Sequence, residues 1–532
     1  MPPPRPSRVV PVPLAELAAL VSAQALPEHA AVLVSGVSLD SRTVLPGDLY
    51  AALPGFHRHG ADFTADAVAA GAVAVITDSA GVAAAERASD VPLLVTASPR
   101  AVLGSLAAAV YGRPADVLTL FGITGTNGKT TTAYLLESAL RGLGARTGLI
   151  GTVETRIGTT RLPSVRTTPE APELHALLAM MAEAGTESVV MEVSSHALSQ
   201  HRVDGAVFDV ALFTNLSQDH LDFHTTMDEY FAAKALLFSP EHSRRAVVCV
   251  DDSWGQRLSQ TAGVPVTTVA SRRRRDADWT VETSSWPEFT VSGRHGTLEL
   301  RCHLPGEFNV LNTAMAAVAL VVAGTPLADV RLALAEEPQV PGRMELVTRA
   351  EPAEVESDAG PTPAPGDDPQ CIVDYAHTPD AVEAALKALR PSTSGRLIVV
   401  LGAGGDRDRG KRRGMGAAAA RNADVVIVTD DNPRSEDPAS IRAAVVDGAR
   451  QVVGTGGVGP TVQSVADGRA AAIREAIRIA RASAAPAEDT VLVLGKGHET
   501  GQEVAGTVHP FDDREAVQAG LAGAPYRPEA AE

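Results

Sequence analysis

The segment FGITGTNGKTT, Phe121–Thr131, joins an apolar strand-like run to a helix-forming run. Small residues followed by a Lys-Thr pair at such a junction can wrap phosphates. The turn's backbone N–H groups and the helix N-terminus face the anion, the Lys129 ammonium neutralises the outer phosphates, and the Thr130 hydroxyl can reach a magnesium ion. Gly125, Thr126, Asn127, Gly128 and Thr131 complete the loop. Position 123 is Ile where the standard G-x-x-x-x-G-K-[ST] pattern has Gly, so a plain glycine turn competes; the strand–loop–helix setting disfavours it. Metal ligands are expected beside such a loop. Glu192 ends the apolar run of VVMEVSSHAL, and His220 follows another strand end in TNLSQDHLD. A lone carboxylate can cap a helix and a lone histidine can be merely polar, but on successive strands of one sheet the two favour a metal site.

Lys234 is the most informative single residue. In MDEYFAAKALLF, residues Met227, Tyr230, Phe231, Leu237 and Phe238 form an apolar face at helical spacing, and Lys234 shares it. A buried ammonium there must be paired, depressed in pKa or chemically altered. The alternative is a lysine that snorkels past the apolar patch. The chain holds 41 arginines but only five lysines, Lys129, Lys234, Lys387, Lys411 and Lys496. Such a bias reserves lysine for places that want a compact ammonium or a nucleophilic amine. Lys387, in AVEAALKALR, reads as ordinary surface.

Positioning these residues requires a large α/β scaffold. A chain of 532 residues exceeds one core and implies about three domains. From VLTLFGIT (117–124) the pattern strand, Gly-rich turn, helix repeats through ESVVMEV (187–193) and FDVALFTNL (208–216), which is βαβ arithmetic and a parallel sheet. A second series comprises CIVDYA (371–376), RLIVVLGA (396–403), ADVVIVTD (423–430) and TVLVLGKG (490–497), and shorter strands lie at LYAAL (49–53), AVAVIT (72–77) and PLLVT (92–96). The expected boundaries are a disordered tail at 1–13, then domains at 14–115, 116–341 and 342–532, with YGRPAD (111–116) as a hinge and the acidic, Pro-rich stretch 351–369 as a flexible insertion.

The net charge of −18 opposes loose binding to nucleic acid or anionic membrane. The run Arg272–Arg275 reads as a solvated loop, and Ala314–Ala323 is too short to span a bilayer and reads as a core helix. Three scattered cysteines, Cys249, Cys302 and Cys371, and a Pro-rich start in place of a signal peptide place the chain in a reducing cytoplasm.

GTNGKTT, MEVSSHAL, TNLSQDHLDFH, YFAAKALLF, GEFNVLNTAMA, PGRME, DYAHTPD and GKGHE, in that order, resemble the motifs of the Mur ligases, the ATP-dependent amide-bond-forming enzymes of peptidoglycan precursor synthesis. The likeness runs from about residue 34 to about residue 515, and DSRTVLPGDLYAALPG (40–55) with DNPR (431–434) is similar to the branch that adds diaminopimelate to UDP-N-acetylmuramoyl-L-alanyl-D-glutamate. The resemblance implies a central P-loop ATPase domain between a UDP-binding domain and a Rossmann-like domain. It implies that Lys234 is carbamylated by carbon dioxide, and that Thr130, Glu192 and His220 stand at magnesium positions. Asn309 and Asn312 match the segment at the adenine, Arg343 a phosphate-side arginine and Asp374 a ribose ligand. Leu39, Ser41, Thr167, Thr168, Ser194, Gln200 and Arg202 fall where the family binds the UDP-sugar dipeptide.

Diaminopimelate has a distal head with both carboxylate and ammonium, which calls for an arginine fork and an acid or carbonyl. Asp431, Asn432 and Arg434 of DNPR, Arg407 of GDRDRGKR, and Gly495 and Glu499 of GKGHE could supply them; a surface turn before a helix cap is the plainer reading of D-N-P. The reaction implied is activation of the D-glutamate carboxylate as an acyl phosphate, then attack by the amine, with ATP, magnesium and small molecules as the partners of a monomer. A lysine-adding homologue, a folylpolyglutamate synthase and a non-catalytic nucleotide-binding protein remain as alternatives.

Overall fold

The computed structural model describes residues 4–23, 27–55, 57–271, 276–336, 338–349, 368–453 and 459–528. Three α/β domains each build on their own sheet. The first sheet has four parallel strands in sequence order, Gly36–Ser38, Asp48–Ala51, Ala74–Thr77 and Leu93–Val95. Its apolar cluster includes Leu103, Leu106 and Val110 of the helix Pro99–Val110 and reaches Ala176 and Ala179 of the helix Ala171–Glu183, which belongs to the second domain.

The expected disordered tail is corrected for residues 4–13. Val12–Pro13 pairs antiparallel with Leu33–Val34. Arg5 donates through Nη2 to Asp48 Oδ2 and through Nη1 to Tyr111 Oη, both at 2.5 Å. The amides of Ser7 and Arg8 donate to the Glu183 carboxylate at 2.8 and 2.7 Å. Prolines forbid a helix here but not extended pairing, and Asp48, 2% exposed, calls for a cation.

The second sheet has eleven strands. Seven run parallel, in the spatial order Thr147–Ile150, Ser188–Glu192, Thr119–Thr124, Val210–Phe213, Ala246–Cys249, Val266–Ser271 and Trp279–Ser285, with antiparallel strands beyond each edge. Chain order reverses around Thr119–Thr124: the next two parallel strands in sequence lie on one side of it and the following ones on the other. This is the topological switch point where open α/β sheets bind ligands, at the carboxyl ends of the strands. The helix Glu307–Ala323 is apolar nearly all round and is buried from Ala314 to Leu320, as its composition requires.

The third sheet has six strands, in the order Glu345–Val347, Gln370–Asp374, Thr490–Leu494, Leu397–Leu401, Val425–Val428 and Thr461–Ser464, with only the first antiparallel. Asp374, Gly402–Arg407, Asp430–Arg434 and Gly495–Glu499 therefore all emerge at the carboxyl ends of parallel strands. The Arg272–Arg275 loop and all but the end of the 351–369 insertion lie outside the described residues. Asp368, at that end, accepts from Arg349 (2.8 Å) and Arg481 (2.6 Å).

Candidate active site

The strand Thr119–Thr124 delivers the loop 125–128 into the helix Lys129–Gly142. Gly128 has φ +86°, and a Cβ there would meet Asn312 Oδ1 at 2.5 Å, so the turn tolerates only glycine. Lys129 Nζ curls onto the carbonyls of Gly125 and Thr126, both at 2.9 Å. Burial lowers its pKa, opposed by the charges of Glu192 and Asp219.

Glu192 ends its strand 1% exposed. Its Oε2 accepts from the Thr130 hydroxyl at 2.9 Å and the Thr152 hydroxyl at 3.1 Å, and its Oε1 accepts from the Thr152 amide at 2.8 Å. Arg343 reaches in from the start of the third domain, donating to Thr130 Oγ1 at 3.1 Å, with its guanidinium 4.3 Å from the Tyr375 ring centroid. A cavity of about 520 Å³ brings together Thr126–Thr131, Glu192, His220, Lys234, Asn309, Asn312, Arg343 and Asp374.

Lys234 is 1% exposed on the helix Met227–Ala235, so the snorkelling reading is excluded. Its Nζ donates to Gly125 O at 2.9 Å and lies 4.7 Å from the Tyr230 ring centroid. Burial first, and the Lys129 charge second, lower its pKa well below the ordinary lysine value. His220 follows the strand Val210–Phe213 with φ +55°, held among the rings of His196 at 5.0 Å and Tyr230 at 5.9 Å.

Asp374 accepts from the Met344 and Ala376 amides, each at 2.8 Å, and burial raises its pKa against the pull of Arg343. Asn309 accepts from Asn312 Nδ2 at 3.1 Å and donates to Pro305 O at 2.8 Å, and both line the cavity beside the phosphate loop.

Thr167, Thr168, Ser194, Gln200 and Arg202 form one network. Thr167 meets Thr152 at 3.0 Å, Thr168 Oγ1 donates to Glu192 O at 2.9 Å and accepts from Ser194 N at 3.0 Å, and Arg202 donates to Gln200 Oε1 at 2.8 Å. Leu39 and Ser41 stand apart from it, just beyond the first strand of the first sheet.

The remaining expected residues gather at the third sheet. Asn432 Nδ2 donates to Glu499 Oε2 at 2.9 Å, and a Cβ on Gly495 would come within 3.1 Å of Asp431 Oδ2. Arg434 donates to Gly405 O at 2.7 Å and lies 3.4 Å from Glu503 Oε2. Arg407 is half exposed, with Asp222 of the second domain 3.7 Å away.

Sequence reasoning missed three participants. Thr152 holds both oxygens of Glu192, but it follows its strand in an unremarkable turn. Asp219 sits beside the recognised His220 and faces His377 and Lys411 of the third domain. Burial pushes its carboxyl up, yet His220, His377 and Lys411, at 3.6, 3.8 and 3.9 Å, outweigh that and hold it below the usual carboxylate range. Lys496 was marked by the scarcity of lysine and its place in GKGHE but given no role, and it is fully buried.

Three family models match the chain: the Mur ligase middle domain at 123–321, the Mur ligase glutamate ligase domain at 342–497, and the Mur ligase family catalytic domain at 33–111. A Streptomyces avermitilis protein named UDP-N-acetylmuramoyl-L-alanyl-D-glutamate–2,6-diaminopimelate ligase is 50% identical over 97% of this chain and 98% of its own. The Streptomyces coelicolor protein of that name is 51% identical over 97% of each chain. A solved structure of the same name, 30% identical, superposes with a TM-score of 0.65 over 97% of this chain and 99% of that one. The phosphate loop at the switch point, the buried lysine beside it and these matches across all three sheets lead to one conclusion: the chain belongs to the Mur ligase family.

Proposed function

We propose that this chain is an ATP-dependent, ADP-forming ligase that joins diaminopimelate to UDP-N-acetylmuramoyl-L-alanyl-D-glutamate in peptidoglycan precursor synthesis. The observation that carries the reading is half-identity, over nearly the whole of both chains, to proteins named for that reaction. The cavity between the second and third domains supports it, because phosphate-binding and carboxylate groups converge there.

ATP and a substrate carboxylate repel one another, so the site must first neutralise charge. Lys129 would leave the carbonyls of its own loop to meet the outer phosphates, and Arg343 would approach them from the other side. The Thr130 hydroxyl and Glu192 carboxylate, 2.9 Å apart, are oxygen donors that suit a hard divalent cation, so magnesium fits, with His220 on the wall of the same cavity. When bound it would neutralise polyphosphate charge. Lys234 fits the carbamate reading because burial favours its neutral amine. Addition of carbon dioxide to the neutral Nζ, with loss of one proton, would place an anion beside Lys129.

The D-glutamate carboxylate then takes the γ-phosphoryl group, ADP leaves, and the neutral amine of diaminopimelate attacks the acyl phosphate and expels phosphate. Thr167, Thr168, Ser194, Gln200 and Arg202, with Leu39 and Ser41 on the first domain, would hold the UDP-linked dipeptide. Asn309, Asn312 and Asp374 would hold the nucleoside, and Arg407, Asp431, Asn432, Arg434, Gly495 and Glu499 the amino acid. Closure of the third domain over the cavity would keep water from the acyl phosphate. With limits near 14–115, 116–341 and 342–532, each domain would take one substrate. Three buried free cysteines suit a cytoplasmic setting.

The test is phosphate release from ATP, magnesium and the UDP-linked dipeptide with meso-diaminopimelate, LL-diaminopimelate, L-lysine or no amino acid. Release that requires a diaminopimelate isomer is expected. Release with lysine alone would transfer the chain to the lysine-adding branch. No release with intact ATP binding would favour a non-catalytic role.

A further inference from the structure

Lys496 is fully buried, in a chain that spends only five lysines. Its ammonium lies 3.1 Å from Asn432 Oδ1, 3.2 Å from Glu499 Oε2 and 3.9 Å from Asp431 Oδ1, an oxygen that no hydrogen bond reaches among the described residues. A buried ammonium is costly unless it is paired, so these acceptors account for its placement. The contacts also orient Asn432. Its Oδ1 receives Lys496 Nζ and the Glu503 amide (3.0 Å), which turns Nδ2 toward Glu499 Oε2 at 2.9 Å.

Two donors thus fall on the same oxygen of Glu499. Its Oε1 has no hydrogen bond among the described residues, on a side chain one third exposed. Across the same loops, Arg434 Nη1 and Arg407 Cγ both lie near Gly404, at 3.1 and 3.8 Å from the place a Cβ would occupy there.

We infer that Lys496 is a positioning residue that sets specificity for the amino acid. By holding Glu499 Oε2 and the Asn432 amide, it presents Glu499 Oε1 to an ammonium on the substrate's distal head, while Arg434 and Arg407 face that head's carboxylate. The inference rests on the acceptor proposed above. The other buried cation here, Arg469, is neutralised by a two-point ion pair with Asp513 and cannot substitute. Without Lys496, Glu499 keeps one donor instead of two and turns away from the pocket. A substrate that lacks the distal ammonium gains nothing from the arrangement.

The discriminating pair of substrates is diaminopimelate and 2-aminopimelate, which has the same chain and both carboxylates but one amino group. The ratio of their kcat/KM values is measured for the full-length wild type, Lys496→Met, Glu499→Gln and the double variant. The wild type should prefer diaminopimelate at least tenfold, as one charge-assisted hydrogen bond allows. Each single variant should bring the ratio close to one, the double variant should go no lower, and the apparent KM for ATP should change less than about twofold. A defect of folding alone would slow both substrates equally and leave the ratio intact, which would overturn the inference. Should Lys496→Met fail to fold, Asn432→Asp replaces it. That change removes the donor to Glu499 and draws the Lys496 ammonium away, so the ratio should fall as well, and an unchanged ratio is again fatal. Absence of diaminopimelate-dependent turnover in the wild type would overturn both this inference and the proposed function. Normal wild-type turnover with unchanged ratios in the variants would overturn the role of Lys496 alone.

Discussion

Replacing Arg469 by Met should destabilise the third domain by about 3–5 kcal/mol, the usual cost of stranding one member of a buried ion pair. Arg469 and Asp513 are both fully buried and meet through two hydrogen bonds of 2.6 and 2.7 Å. Arg469 Nη2 also donates to Leu494 O at 2.8 Å, and Nη1 lies 3.4 Å from Asp430 O. The substitution therefore leaves a carboxylate without its cation and loosens two backbone carbonyls, partly offset by the N-terminus of the helix Asp513–Ala522, where a negative charge is favoured by about 0.3–1 kcal/mol. For a domain of this size the apparent Tm of its transition should fall by roughly 6–20 °C.

Replacing both partners together, with Met at 469 and Leu at 513, should recover most of the loss, because two buried charges are then exchanged for apolar packing. The readout is calorimetry together with hydrogen exchange across the strand Thr490–Leu494, since Trp254, Trp279 and Trp286 all belong to the second domain and their fluorescence would miss the event. A loss below about 1 kcal/mol in the single variant, or a double variant as unstable as the single one, would refute the reasoning.

Other expectations follow from the same geometry. Lys234→Ala should lose nearly all ligase activity and regain part of it with short carboxylic acids; full turnover without acids or bicarbonate would remove the carbamate reading. Gly128→Ala should weaken nucleotide binding at least tenfold by calorimetry, because alanine at φ +86° costs about 1–2 kcal/mol and its methyl group meets Asn312 Oδ1. Arg434→Ala should raise the KM for diaminopimelate far more than that for ATP, and equal rises would contradict the pocket. His175, fully buried against the carbonyl of Asp204 at 2.9 Å, has its pKa lowered by burial from 6.5 to about 4. The unfolded chain binds this proton more readily, so its contribution to stability is whole above pH 6.5 and declines as pH falls toward about 4, by about 3 kcal/mol in total. His175→Gln should flatten the pH dependence of the apparent Tm across that window, and an unchanged slope would exclude the effect.

The α/β class, the phosphate loop and the strand end that carries Glu192 were legible in the residues alone, as was the loop beyond Phe213 that carries His220. Those signals are local: a few adjacent residues set a turn, a run of alternating or continuous apolar residues sets an element, and a carboxylate at a strand end inherits its place. The oddity of Lys234 was also legible, because helical spacing alone puts it on the apolar face. Prolines at the chain start, in contrast, argued for a loose tail; the meeting of Arg5 with Asp48 and Tyr111 fixed that segment on the first domain, and the hydrogen bonds of Ser7 and Arg8 to Glu183 tied it to the second. The folded chain, and no local pattern, made Thr152 grip Glu192, set Asp219 opposite His377 and Lys411 of another domain, and paired Arg469 with Asp513 forty-four positions away. Strand order and crossovers bring such residues together, and no local pattern reports which distant charge will fill a buried site. The physical cause is desolvation: each buried ionic group needs a partner, and the folded sheet decides which one is within reach.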